Sequence, residues 1–406
     1  MLNRTLATKI NNISSSYPVF LLTGARQVGK TTLLQSLSNG QINYVTLDDL
    51  EIRRLAKEDP ALFIQKYSPP IIIDEVQYAP ELFPYIKIYV DKYQQDGLFW
   101  LTGSQKFHLM QGVQESLAGR VAIIDLLGLS YAEKIRQADR QIPFLPVDKW
   151  FENVHTNKRK AENVLSIYQK IWQGSYPRLV SKENVDRDIF YRSYVQTYIE
   201  RDVKDMYNIS NNIVFYNFLR AVAARVGQLL NYADIARDIN IDSKTARTWL
   251  SILEASGIIY LLYPYYNNIT KRIIKTPKVY FLDTGLCAYL TSWDSYKTLE
   301  AGAMSGAILE NYVIIEILKS YWHNGKEVNM YFYRDNNQKE VDCIIEQNGI
   351  LYPLEIKKTT MPSNVKVSFS FLSKLQKDIW YGGILCLKEN IMPLHNNMIS
   401  IPIWEI

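Results

Sequence analysis

The sequence predicts an α/β protein: a parallel β-sheet flanked by helices over its first third, a helical and winged-helix middle, and a second α/β unit at its carboxy-terminal end. Three observations carry that prediction. Apolar runs ending in polar or acidic residues, "VFLLTG", "IIIDEV" and "FWLTGS", fit strands buried on both faces of a parallel sheet. "YADIARDINIDSKTARTWLSILEASG" has the period and caps of two helices joined by a turn. Asn348-Gly349, between two apolar runs, is a two-residue hairpin turn. At 406 residues the chain exceeds the size of one growing core. The pattern divides it at residues 1–135, 136–210, 211–295 and 296–406, the second segment being a linker and helical lid.

Composition narrows the function classes. A hydrophobic content of 47% is globular, and runs such as "GIIYLLYPYY" are far shorter than the roughly 20 residues of a membrane span, so no membrane partner is expected. The start, "MLNRTLATKINNISSSYPVF", has no signal-peptide core, and a cytoplasmic location is expected. The 3 cysteines, Cys287, Cys343 and Cys386, are far apart in apolar stretches, which suits reduced thiols and neither a disulfide framework nor a zinc cluster. A net charge of +5 is compatible with a polyanionic partner without demonstrating one.

The first element reads as a strand over Val19 to Leu22, a loop from Gly24 to Gly29 and a helix from Lys30. The loop is G-x-x-x-x-G-K-T, which makes Gly24, Ala25, Arg26, Gln27, Val28, Gly29, Lys30, Thr31 and Thr32 the expected phosphate cradle. Its N–H groups and the positive end of the helix face one anion. Lys30 would reach the β- and γ-phosphates of ATP, and the Thr31 hydroxyl would enter the Mg²⁺ shell. The next strand ends in Asp74 and Glu75, at the edge where parallel sheets bind ligands. Asp74 is placed to hold Mg²⁺ through water and Glu75 to polarise an attacking water, a pairing that implies hydrolysis. "GLFWLTGSQ" ends in Ser104 and Gln105, either of which would touch the γ-phosphate or its water; capping the next helix is the other reading. "SLAGRVAIIDLL" carries Arg120 before a further strand, where it would neutralise transition-state charge across a subunit boundary or form a surface salt bridge.

Residues 1 to about 135, through "GARQVGKTTLL", "IIIDEVQ", "LTGSQ" and "SLAGR", resemble the AAA+ class of P-loop ATPases. More narrowly they resemble the bacterial and archaeal family that joins this ATPase to a carboxy-terminal domain of unknown function, DUF4143. The resemblance implies a P-loop NTPase sheet, a sensor role for Ser104 or Gln105, and an arginine-finger role for Arg120. Because relatives often form rings, it also allows a homo-oligomer or an unidentified protein partner. "IWQGSYPRLV" and "YVQTYIERDVKDMYNI" extend the likeness and make Arg178 a candidate second nucleotide sensor.

Residues 136–160 are polar, end in "NKRK" and read as an exposed connection. Beyond them, Tyr232 to Asp238 and a second helix capped by Asp242 or Ser243 have helix-turn-helix order, with Ala246, Trp249, Leu250 and Leu253 inward. Lys244 and Arg247 face outward. Strands at "GIIYLLYPYY" and "PKVYFLDTGL" would form a wing over "NNITKRIIKT", whose Lys271, Arg272 and Lys275 suit phosphates. Such a module contacts DNA, contacts protein or serves as a lid, and the basic face does not decide among them.

"GAILENYVIIEILKSYW" reads as an amphipathic helix with Ile308, Tyr312, Ile315 and Leu318 on one side and Glu310 and Glu316 on others. In the hairpin that follows, the turn pairs Gln347 with Ile350 and so places Asp342 opposite Glu355, with Lys357 on the same face. Pro353 lacks a donor and predicts an edge strand or bulge. Facing carboxylates call for a cation, supplied by Lys357 or by a second divalent metal on Glu310, Asp342 and Glu355. The spacing D-x12-E-x-K resembles the PD-(D/E)XK nuclease superfamily, including its Holliday-junction resolvase branch, which implies a restriction-endonuclease-like fold with Lys357 as its lysine. The expected function is an AAA+ ATPase acting on or with DNA. Two alternatives stand beside it: an ATP-switched nucleic-acid or protein-binding regulator with an inactive nuclease-like domain, and an ATP-controlled metal-dependent endonuclease.

Overall fold

The computed structural model describes residues 2–104, 109, 112, 113, 115–197, 212–364, 368–395 and 398–406. Its first sheet has five parallel strands, β1 (Val19–Thr23), β2 (Asn43–Thr46), β3 (Ile71–Asp74), β4 (Phe99–Thr102) and β5 (Val121–Asp125), in the order β2-β3-β4-β1-β5. The sheet is buried on both faces by simple alternation. Val19, Leu21, Ile71, Ile73, Phe99 and Leu101 join one core with residues such as Phe63, Phe83 and Ile86. Phe20, Leu22, Ile72 and Trp100 join a second core that continues through the middle of the chain and into its carboxy-terminal end. Each fully buried aliphatic side chain contributes about 1.5–3 kcal/mol relative to exposure. The strand β2 has no counterpart in the sequence reading, because "NYVT" buries only Val45 and shows no apolar run.

The segment 136–160, expected to be an exposed connection, is tied into the molecule. It holds the helix Asp148–Thr156, and Arg159 is buried, donating through Nη1 to the carbonyls of Trp404 at 2.6 Å and Ile406 at 2.7 Å. The middle contains the two helices read from the sequence, Tyr232–Asp238 and Ser243–Ala255, with Asn240 left-handed between them and Asp242 capping the second through Thr245 N. Two antiparallel strands follow, β6 (Ile259–Leu262) and β7 (Lys278–Phe281). Their connection is not the open wing expected from "NNITKRIIKT": Asn268 accepts from Thr270 N and Lys271 N and starts a helix over Ile269–Ile274. That asparagine is a cap signal, and it was readable.

The carboxy-terminal end is a mixed sheet of β8 (Met330–Arg334), β9 (Glu340–Gln347), β10 (Ile350–Ile356), β11 (Asp378–Ile379), β12 (Gly382–Cys386), β13 (Met392–Leu394) and β14 (Met398–Pro402). Asn348 and Gly349 both have positive φ, as the two-residue turn requires, and β9 pairs with β10 in the register counted from it, from Gln347–Ile350 to Cys343–Leu354. Pro353 neither marks an edge nor shifts that register. On its other side β10 pairs with β11 at Ile350 and Leu351 and with β12 from Leu354 onward, so the proline falls in the gap between two neighbours, where no partner needs its N–H.

The helix Ser305–Trp322 packs between this sheet and the rest of the molecule and is not amphipathic: Asn311, Glu316, Lys319 and Ser320 are buried with its apolar residues. Its polar groups close contacts with the stretch from Leu129 to Phe144. Glu316 accepts from Tyr131 N at 2.7 Å, Lys319 donates to the Leu129 carbonyl at 3.0 Å, and Ser320 accepts from Phe144 N at 2.9 Å. No helix among the described residues is long and apolar enough to cross a membrane.

Candidate active site

The loop after β1 turns through Gly24 at φ +139° and Gly29 at φ +96°; a Cβ on Gly24 would collide with the Leu126 carbonyl oxygen. Gly29 is the N-cap of the helix Lys30–Ser38, and no side chain caps that end, which leaves its first-turn N–H groups to the loop's interior. Lys30 is buried and donates to the carbonyls of Gly24 at 2.9 Å and Ala25 at 3.0 Å. Burial lowers its pKa to about 8, against the pull of Glu75 and Asp74. Arg4 supports the loop, donating to the Val28 carbonyl at 2.8 Å and the Leu127 carbonyl at 2.7 Å.

Thr31, the next residue of that helix, donates to both oxygens of Asp74, at 3.1 and 3.0 Å. Asp74 ends β3, is buried, and also accepts from the Tyr44 hydroxyl of β2 at 3.0 Å. Burial raises its pKa, while the Thr31 and Tyr44 hydrogen bonds oppose the rise. A threonine hydroxyl beside a carboxylate is a pair of hard oxygen donors, the set that Mg²⁺ takes. Glu75 has left-handed backbone at φ 56°, and its carboxylate accepts from the Gln77 amide and from the Ser104 hydroxyl, the latter at 3.3 Å. Lys30, Thr31 and Glu75 border a cavity of about 670 Å³, whose far wall includes Leu2, Leu129, Pro177 and the exposed Arg178 and Lys182.

Lys30, Thr31, Asp74, Glu75 and Ser104 therefore converge at the carboxyl edge of one sheet, and Arg178 faces the same cavity. Gln105 lies outside the described residues. Arg120 does not line the cavity; it forms a two-pronged ion pair with Asp91 at 2.6 and 2.9 Å, the surface salt bridge that was the alternative for it. Tyr44, Gln77, Arg4 and Lys182 were not read from the sequence. Gln77 stands two residues beyond Glu75 in the quoted motif; Tyr44 sits on the strand that the sequence did not reveal.

The carboxy-terminal acids make a different arrangement. Asp342 accepts from Ile356 N at 2.8 Å, and Lys357 lies 2.6 Å from Glu355 and 3.5 Å from Asp342. Burial and the adjacent Asp342 push the Glu355 pKa up to about 8. Glu310, expected as a third metal ligand, is instead held by Lys278 at 3.0 Å and the Tyr280 hydroxyl at 2.6 Å. Lys278 also pairs with Glu340 at 2.5 Å. Among the described residues no three His, Cys, Asp or Glu side chains group as a metal site, the set expected on Glu310, Asp342 and Glu355 included, and Lys278 and Lys357 pair with these acids.

Of the basic residues expected at a nucleic acid, Lys244, Lys271 and Lys275 are exposed, and Arg247 lies over the Tyr232 ring at 5.0 Å. Arg272 is withdrawn from that role. It donates to Glu346 and to the Tyr331 hydroxyl, both at 2.9 Å, and stacks on Tyr265 and Tyr331, joining the β6–β7 connection to the carboxy-terminal sheet.

Residues 16–135 match the family model described as an AAA domain, residues 165–297 that of a domain of unknown function, DUF8612, and residues 305–406 that of a domain of unknown function, DUF4143. An uncharacterized protein of Mycobacterium tuberculosis is 29% identical over 408 residues, spanning 99% of this chain and 84% of that protein. One of Methanocaldococcus jannaschii is 22% identical over 327 residues, spanning 73% of this chain and 66% of that protein. Among solved structures, a Walker-type ATPase of Pyrococcus abyssi aligns with a TM-score of 0.44 at 17% identity, over 71% of this chain and 96% of that one.

Proposed function

We propose that this chain, in which an AAA domain precedes a DUF4143 domain, is a Mg²⁺-dependent ATPase that acts with DNA. The observation that carries the reading is the meeting of Lys30, Thr31 and Asp74 at an uncapped helix N-terminus bordering an open cavity. The N–H groups of residues 25 to 32 cradle the phosphates of ATP, and Lys30 exchanges its two loop carbonyls for the β- and γ-phosphates. Thr31 and Asp74 would hold the Mg²⁺, which would offset charge on the phosphate oxygens. Glu75, oriented by Gln77 and Ser104, holds the attacking water by its carboxylate. Arg178 and Lys182 supply positive charge from the opposite wall. The test is ATP hydrolysis by the full chain: Lys30→Ala abolishes it, and retained turnover removes the phosphate-loop reading.

DNA enters through the helix Ser243–Ala255 and the exposed Lys244, Lys271 and Lys275. Gly257, just past the end of that helix, lies against the phosphate loop, a Cβ there standing in ordinary contact with Ala25 N at 3.6 Å, which gives nucleotide occupancy a route to the helix pair. The reading requires an ATPase rate that changes when duplex or branched DNA is added; an unchanged rate removes DNA as the partner.

A second reading, an ATP-switched regulator whose nuclease-like domain is inactive, is favoured by Lys278 and Lys357, which already neutralise the carboxy-terminal acids. It requires that the parent protein cleave neither linear nor branched DNA with Mg²⁺ or Mn²⁺. Cleavage that vanishes in Asp342→Ala would favour the endonuclease alternative instead.

A further inference from the structure

We infer that Tyr44 is a positioning residue of the nucleotide site, its hydroxyl fixing the Asp74 carboxylate in the orientation that receives the divalent cation accompanying ATP. The inference rests on the nucleotide reading above and assigns a role to a residue that no motif in the chain marks.

The sheet explains how a residue on the outermost strand reaches the site. In the parallel ladder Tyr44 lies opposite Ile72, and Thr46 opposite Asp74. Ile72 and Asp74, two residues apart, share one face of β3, so the side chain of Tyr44 is the diagonal neighbour of Asp74 on that face. A phenol is long enough to span the diagonal, and the hydroxyl meets Asp74 Oδ2 at 3.0 Å. The ring has little packing role: Tyr44 is 37% exposed and belongs to neither of the cores that cover the sheet. An exposed ring aimed at a buried carboxylate is an arrangement whose consequence lies in its hydroxyl.

Asp74 accepts from two hydroxyls, that of Thr31, shared between its two oxygens, and that of Tyr44. They differ in fate. Thr31 and Asp74 are the donor pair for the cation, so the Thr31 hydroxyl turns to the metal when it binds. The Tyr44 bond is directed from outside that pair and persists, holding one carboxylate oxygen and leaving the other to the metal or its water. Partners of this kind fix ligand orientation and tune metal affinity.

The experiment compares the full-length parent with Tyr44→Phe in binding a fluorescent ATP analogue, first in EDTA and then across a Mg²⁺ titration. Equal binding in EDTA and a Mg²⁺ requirement raised about tenfold in the variant are the expected results. An unchanged Mg²⁺ curve overturns the inference, and so does equal weakening with and without Mg²⁺, which would make the hydroxyl a general support of the site. Thermal unfolding without Mg²⁺ should match the parent, since the ring lies outside both cores; a lowered midpoint assigns the hydroxyl to the fold and also overturns the inference. If the parent fails to bind the analogue, or Lys30→Ala leaves its binding unchanged, the nucleotide reading falls and the role of Tyr44 falls with it. That outcome is distinct from a parent that binds normally beside an indifferent Tyr44→Phe.

Discussion

Two groups of buried charge, one at each end of the chain, are built on opposite principles. At the phosphate loop the lysine is held by neutral carbonyls, burial depresses its pKa, and an open cavity lies in front of it. In the carboxy-terminal cluster each lysine is already committed to carboxylates: Lys278 to Glu310 and Glu340, Lys357 to Glu355 and Asp342. Burial opposes the charge of Lys278, yet its two carboxylate partners hold its pKa above the ordinary lysine value. The first arrangement keeps an unsatisfied charge for a ligand, and the second satisfies its charges internally. A motif of acids and lysines can therefore describe either a site or a structural joint, and the partner of each lysine tells which.

The contrast can be broken most decisively at Lys30. Lys30→Ala should lower ATP hydrolysis by about a hundredfold or more, the scale of losing a principal electrostatic group, whereas Lys278→Ala should leave the rate within a few-fold of the parent, as its partners lie outside the nucleotide cavity. In stability the order reverses. Lys278→Met strands two carboxylates and should cost about 3–5 kcal/mol in urea unfolding, while Lys30→Met, which relieves a desolvated ammonium, should cost less than about 1 kcal/mol or raise stability. Equal losses for the two variants would erase the comparison.

The lowered Lys30 pKa sharpens it further. In the free protein the ammonium loses its proton as pH rises through about 8, so nucleotide affinity should fall across that range. Above pH about 8 binding should take up a proton, because phosphates favour the charged lysine; calorimetry in buffers of different ionisation enthalpy measures this. A further effect, on stability alone, concerns Glu355. Its pKa in the fold, about 8, stands above the ordinary 4.5, so the stability it lends is complete below pH 4.5 and is lost as pH rises toward 8. Glu355→Gln cannot ionise, so its stability relative to the parent should increase from pH 5 to about pH 8 and level off above it in denaturant titrations.

What the sequence disclosed follows from how local each signal is. The loop from Gly24 to Thr31, the strand ends at Asp74 and Ser104, and the Asn348-Gly349 turn are short-range chemistry, and they were legible. The β9–β10 register followed from the turn alone. Features that depend on distant partners were not. Pro353 looked like an edge marker because nothing local says that β11 ends before β12 begins. Glu310 looked like a ligand because Lys278 is thirty-two residues away, and Glu316 was placed only on a face away from the apolar one because its partner, Tyr131 N, is 185 residues away. The strand β2, with one buried residue, gave no periodic signal, so Tyr44 stayed hidden with it. The helix over Ile269–Ile274 is a different lapse: its asparagine cap was local and visible.

The helix Ser305–Trp322 has a consequence for how the molecule comes into being. It supplies acceptors to Tyr131 N and Phe144 N from positions 185 and 176 residues later in the chain. During synthesis at about 5–20 residues per second, those amides wait on the order of ten seconds or more for their partners to emerge. The end of the amino-terminal third thus matures late, and a nascent chain halted before residue 316 should show faster amide hydrogen exchange around Tyr131 than the finished protein.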